Sequence, residues 1–362
     1  MAFRINLPPV TRGLLAITVG LTLLYNIARW RLSQPDPSST TPVNPALRPY
    51  VPYLALIPSV SLWYPWTFLS ATFVEQNIIT LLVNGATILF GGRYLERAWG
   101  SQGFTYVILI ASIIPNLLVV PTYIFWAAIT GNPERALTPI TGGITTQAAF
   151  LVAFKQLVPE HTVSIYKGMI KMRVKHFPGI FLAVNTLSGF LLGTDTALIL
   201  AWYGLITTWT YLRFFKRQPD LSGSSTENHG PKGDASETFA FATFFPDIIQ
   251  PPIAALSNQI YIFLCNLKVL KSFSDEEIAT GNEQAAARGD SGLPSFNRQA
   301  RGARGMSKRE EAERRRALAL KALDERLNAA SSRAAPQTTT PSAPDLPKGH
   351  EMLGHTDYRP DE

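Results

Sequence analysis

Six runs of this chain are almost free of charge: residues 14–28, 73–92, 103–129, 139–154, 177–193 and 196–212. Several reach the roughly 20 residues that a helix needs to cross about 30 Å of hydrocarbon. A soluble fold would have to bury all of them, so their density within the first 216 residues predicts a polytopic helical membrane domain. The first run follows Arg4 and Arg12, as in a signal peptide. It ends, however, in Tyr25-Asn26-Ile27-Ala28-Arg29-Trp30-Arg31, which offers no small-x-small cleavage pattern. A Trp flanked by Arg is the interfacial anchor of a retained span.

Loop charge sets an expected orientation. Lys155, Lys167, Lys171, Arg173 and Lys175 crowd the 155–176 loop against Glu160; Arg213, Lys216 and Arg217 close the sixth run, and Arg93 and Arg97 follow the second. The alternate loops hold Arg31, Asp36, Arg48, Glu134, Arg135 and Asp195. The Lys/Arg bias places the first set, and with six spans both termini, in the cytosol. It also accounts for a pI near 9.5 without nucleic acid, since no aromatic-interleaved basic patch occurs. The lone Cys265 and the lack of any Asn-x-Ser/Thr sequon give no support to a large exported domain.

The connection after the first run is apolar and aromatic (Leu54, Ile57, Trp63, Tyr64, Pro65, Trp66, Phe68). Its prolines forbid one continuous helix, so short interfacial segments are expected. Pro115 and Pro121 predict a kink in the third span. Residues 217–238 read as a flexible linker. Residues 239–273 read as an amphipathic segment on the membrane surface, with Ile253, Leu256, Ile260, Phe263, Leu267 and Leu270 at helical spacing. Asn258, Gln259 and Asn266 disfavour burying it as a seventh span. Residues 274–306 read as a disordered linker. A cytosolic helix follows at 307–330, opened by the capping box Ser307-Lys308-Arg309-Glu310 and striped by Leu320, Leu323 and Leu327, a candidate partner-binding face. Residues 331–362 have a disordered composition.

The spacing Thr80-x3-Asn84-x7-Gly92-x2-Leu95-Glu96-x3-Gly100-Ser101 closely resembles the second-span signature of the rhomboid superfamily, with Thr80 where a His leads the pattern. Rhomboids take a nucleophile from a Gly-x-Ser-Gly turn opening the fourth span. Here Pro139-Ile140-Thr141-Gly142-Gly143-Ile144-Thr145-Thr146 puts Ile144 or, one residue on, Thr145 in that place. The base of the dyad precedes a Gly-x3-Gly. Gly189 and Gly193 keep the glycines, and Thr186 stands at the His position. All five histidines (His161, His176, His229, His350, His355) lie outside the apolar runs, so a membrane-depth hydroxyl has no base to activate it. Asn84 reads as an interhelical hydrogen-bonding group ahead of a relic oxyanion donor, and Glu96 as the acceptor that fixes the turn after its span.

Trp66-Thr67 replaces the Trp-Arg common in rhomboids and derlins. The tail run EAERRRALALKALDERL, after an amphipathic segment, is similar to the C-terminal part of the transmembrane protein 115 family. The resemblance implies an all-α, six-span rhomboid-like bundle with a partly disordered cytosolic tail, a Golgi pseudoprotease without cofactor. It also implies a role in retrograde Golgi-to-endoplasmic-reticulum transport and association with a Golgi tethering complex. Expected partners are the lipid bilayer, client transmembrane helices and that tether, with self-association left open. The competing readings are an active intramembrane protease using Thr145 or Ser188, and a transporter, for which no inverted repeat or membrane charge is evident. His350-Glu351-x3-His355 has the wrong spacing for a zinc-binding helix, because its histidines do not share a face.

Overall fold

A computed structural model describes residues 7–34, 51–165, 170–217 and 232–290. The helix expected at 307–330, with Leu320, Leu323 and Leu327, and the tail 331–362 lie outside these. The described chain is mostly helical: α1 (Pro9–Ser33), the one-turn α2 (Thr67–Ser70), α3 (Ile78–Ala86), α4 (Arg93–Thr130), α5 (Ile144–Leu157), α6 (Phe177–Leu192), α7 (Asp195–Thr210), α8 (Gln250–Asn266) and α9 (Asp275–Asp290). Each of the six apolar runs is helical over most of its length. Among the described residues, three segments are long and apolar enough to cross a bilayer: Pro9–Ser33, Ile78–Thr130 taken across its break, and Asp247–Asn266. Helices α5, α6 and α7 have 14, 16 and 16 residues. At 1.5 Å per residue these are roughly 21–24 Å long.

A wide π turn, Thr87–Gly92, joins α3 to α4. The one residue of α4 with non-helical dihedrals is Gly100 (φ 76, ψ 162). This break lies between the second and third apolar runs, at a residue that takes positive φ at little cost, while Pro115 and Pro121 keep helical dihedrals.

More than half of α5 is buried in the bundle. Its small residues Ala148, Ala149 and Ala153 are fully buried, and a Cβ added at Gly204 of α7 would sit 2.9 Å from Thr145 Cα. A Cβ at Gly189 of α6 would likewise meet Leu198 of α7 at 2.5 Å. Such close approach at small residues such as Gly189 and Gly204 is how apolar helices associate where hydrophobic contrast is weak. On the outer surface Leu82, Phe90, Phe190, Leu191 and Leu192 are exposed, an apolar coat suited to lipid rather than water. The aromatic loop folds into short turns, with Leu54 and Ile57 buried and Leu62, Trp63 and Trp66 exposed.

Three expectations need correction. The 217–238 segment is not a free linker throughout. From Lys232 it docks on the bundle, with Asp234 Oδ2 accepting from Gln156 Nε2 at 2.9 Å and Arg213 Nη1 donating to Asp234 O at 2.7 Å. Residues 239–245 continue inward, burying Phe239 and Phe244 in the same core as Phe150 and Leu205, so only the later part of 239–273 is exposed. The 274–306 stretch begins with α9, started by a reciprocal capping box: Ser274 N donates to Glu277 Oε2 at 2.9 Å, and Glu277 N donates to Ser274 Oγ at 3.2 Å. Gly281 of that helix packs on Ser236 and Ala235, and Asn282 Oδ1 accepts from Glu237 N at 2.8 Å, contacts that a reading of composition alone misses.

The basic 155–176 loop holds an antiparallel hairpin, β1 (Thr162–Ile165) with β2 (Ile170–Arg173). Glu160 pairs with Arg173 at 3.2 Å and Lys175 at 3.6 Å. Lys155 is not a loop charge. It is buried at the end of α5, donating to Thr243 Oγ1 at 2.8 Å and sitting 3.5 Å from the centre of the Phe244 ring.

Candidate functional site

Of the signature residues, Asn84 meets the Gly142-Gly143 turn where α5 begins. Gly142 takes φ 114, a glycine conformation, and its N–H donates to Ala71 O at 3.0 Å. The next N–H, Gly143 at the helix N-terminus, donates to Glu75 Oε1 at 2.8 Å. Asn84, fully buried on α3, donates from Nδ2 to the same oxygen at 3.0 Å. Glu75 is itself held by α1, its N–H donating to Thr22 Oγ1 at 3.0 Å and its carbonyl accepting from Asn26 Nδ2 at 3.3 Å. Asn84 lies so close over Gly143 that a Cβ there would be 2.1 Å from Asn84 Nδ2. A helix-terminal N–H and a side-chain amide aimed at one oxygen is the geometry of an oxyanion hole. In this chain the oxygen belongs to the protein.

Thr145 and Thr186, at the positions compared with a dyad, share no hydrogen bond. Thr145 Oγ1 is buried with no hydrogen-bond partner. Ile144 packs between two hydrophobic clusters. Thr186 Oγ1 accepts from Trp202 Nε1 at 3.0 Å, and Ser188 Oγ bonds Thr194 Oγ1 at 2.7 Å. Thr80, at the leading His position, donates to Asn77 O at 2.9 Å. The described histidines, His161 and His176, flank the hairpin. Gly193 terminates α6 in the left-handed region (φ 68). Among the described residues no three of His, Cys, Asp and Glu assemble into a metal site.

The second polar centre is Glu96. Its Oε1 accepts from Val10 N (3.0 Å) and Ser101 Oγ (2.7 Å), and its Oε2 from Thr11 N and Thr11 Oγ1 (both 2.8 Å). A carboxylate from α4 therefore serves the open N-terminus of α1, which has no side-chain cap of its own, as well as its own turn. Gly92 makes room for this, since a Cβ there would be 3.1 Å from Thr11 Oγ1.

Sequence reasoning missed Glu75. It is the only acidic residue of the 73–92 run, and an ionisable side chain inside an apolar run is itself a signal that it has a designated partner.

A family model described as a eukaryotic integral membrane protein (DUF1751) matches residues 12–329. Rhomboid-like protein 19 of Arabidopsis thaliana is 29% identical over 265 residues, covering 73% of this chain and 82% of its own. A Transmembrane protein 115 homolog of Saccharomyces cerevisiae is 29% identical over 291 residues (76% of this chain, 80% of its own). Transmembrane protein 115 of Mus musculus is 30% identical over 283 residues (77% and 71%). The likeness thus extends well beyond the signature residues.

Proposed function

We propose, on the premise that the chain belongs to the eukaryotic integral membrane protein family (DUF1751), that it is a catalytically inactive rhomboid-like scaffold acting in retrograde Golgi-to-endoplasmic-reticulum transport. The observation that carries the inactivity is the Glu75 carboxylate on Gly143 N–H and Asn84 Nδ2. Acyl transfer builds negative charge on a carbonyl oxygen, and the donors suited to that oxygen are already engaged by Glu75 Oε1. A substrate carbonyl cannot use those donors while Glu75 holds them, and among the described residues neither Thr145 nor Ser188 has a base to activate it.

A bundle that keeps the rhomboid frame without its chemistry retains the ability to hold other transmembrane helices, through the exposed apolar faces of α3 and α6. In this reading six helices span the bilayer, with the basic 155–176 loop and both termini in the cytosol, and Leu320, Leu323 and Leu327 present a face to a tethering factor. The Golgi setting and the transport step rest on the resemblance to the transmembrane protein 115 family, supported by relatives of that name.

The test is complementation. In cells lacking the protein, a Thr145→Ala, Ser188→Ala double variant should restore Golgi-to-endoplasmic-reticulum cargo recycling to the wild-type rate. A requirement for either hydroxyl would overturn the non-catalytic reading.

A further inference from the structure

Where α7 runs out, the chain builds a cavity of about 340 Å³ between that end and the turn following α8. Its wall is aromatic: Phe214 stacks on Phe273 with ring centres 5.5 Å apart and on Tyr261 at 5.9 Å. Three ammonium groups line it, from Lys232, Lys268 and Lys271, with Glu277 the single acid among the lining residues. Lys232 Nζ lies 5.4 Å from the centre of the Phe215 ring, a cation over an aromatic face. Glu277 accepts from Ser274 N at 2.9 Å and pairs within the lining with Lys271 Nζ at 3.6 Å, which leaves the cavity a net positive charge from the other two lysines.

Lys268 is the informative residue. Among the described residues it is the one non-glycine with positive φ (57°). It follows the C-cap of α8, its N–H donating to Cys265 O at 2.9 Å, while Val269 N reaches back to Leu264 O at 3.0 Å. Glycine is the usual choice for such a left-handed helix end, because any side chain there strains the backbone. A lysine held at that position contributes to the cavity lining, and its chain neighbours Leu267 and Val269 are exposed and apolar. Strain retained where a less costly residue would serve points to a use for the side chain.

We propose that this cavity binds the phosphate of an anionic phospholipid headgroup. Lys232, Lys268 and Lys271 supply the charge, and Leu267 and Val269 lie along the lipid's acyl chains. Charge within and an apolar rim fit a lipid better than a free phosphate, which would gain nothing from the rim. The position fits as well, because α7 ends here and an apolar helix that buries none of its residues in the protein leads into the turn. Juxtamembrane lysines are the groups that meet anionic headgroups.

The experiment uses the purified full chain in detergent, titrated with dioctanoyl phosphatidylinositol 4-phosphate, dioctanoyl phosphatidylcholine and inorganic phosphate, and read by native mass spectrometry. The anionic lipid should bind at concentrations where the zwitterionic one does not. Lys268→Gly should weaken that binding at least tenfold while leaving the melting temperature unchanged or higher, because glycine relaxes the backbone and removes only the ammonium. A Lys232→Gln, Lys271→Gln variant should weaken it similarly, and Arg173→Gln at the hairpin should not. Equal binding of both lipids, or full affinity in Lys268→Gly, overturns the site. Inorganic phosphate binding as tightly as the lipid overturns the lipid assignment.

Discussion

Two buried carboxylates organise this molecule, and each acts through the number of donors gathered on it. Glu96 accepts four hydrogen bonds from three residues, two of them backbone N–H groups of α1 that would otherwise be orphaned. Replacing it with Gln keeps the shape but turns one acceptor oxygen into an amine that faces donors. At least one N–H is then left unsatisfied, at a cost of about 1–3 kcal/mol. Glu96→Gln should therefore lower the melting temperature in detergent by several degrees, whereas an unchanged melting temperature would mean that these contacts contribute nothing. Asn84, Gly92, Glu96 and Gly100 were legible as a constellation because their spacing is local to one helical hairpin. Glu75 was not, because its partners come from α1, α3 and the turn before α5, and the sequence does not display which segments meet.

At the scale of elements, the apolar runs marked out the bundle helices well, since hydrocarbon-compatible composition leaves few alternatives. What composition could not reveal was docking. The Lys232–Phe245 stretch is held by Trp209 Nε1 donating to Phe239 O at 3.0 Å and by Arg213, residues far from it in sequence. Helix α9 was missed for a related reason: its mean polarity suggests disorder, while its capping box and its seat on Ala235 and Ser236 favour a helix. The box makes α9 sensitive to acid. The Glu277 carboxyl is held below its ordinary value of 4.5, chiefly by the Ser274 N–H and with help from Lys271. A depressed pKa means that the stabilisation is full above the unfolded value and fades as the pH falls through the folded one. Hydrogen exchange of the α9 amides, corrected for intrinsic rates, should thus be slow at neutral pH and accelerate below pH 4.5. Ser274→Ala should remove about 1 kcal/mol of that protection at neutral pH, a typical cap contribution. Exchange indifferent to both acid and the substitution would assign α9 to its packing alone.

For the whole molecule, the open question is how α8 meets the membrane. By length and apolarity Asp247–Asn266 qualifies as a span, and none of the residues of α8 is buried in the protein. The contacts on either side of it argue for a helix lying along the surface. Before it, Asp234 and Ser236 are tied to Arg213 at the end of the bundle. Within it, Tyr261 stacks on Phe214 at 5.9 Å, so its C-terminal third is level with the last turn of the bundle. After it, Phe273 N donates to Tyr261 Oη at 3.0 Å and Gly281 packs against Ala235. A 17-residue helix crossing the bilayer would carry its far end roughly 25 Å from its start. The polar segment 274–282 would then have to return through hydrocarbon to reach Ala235, burying Asp275, Glu276 and Glu277 on the way. We expect α8 to lie in the membrane plane with Arg213, Asp234 and Lys271 all on one side. A glycosylation or protease-protection reporter placed after Lys271 should give the same sidedness as one placed after Arg217, and opposite sidedness would establish α8 as a further span.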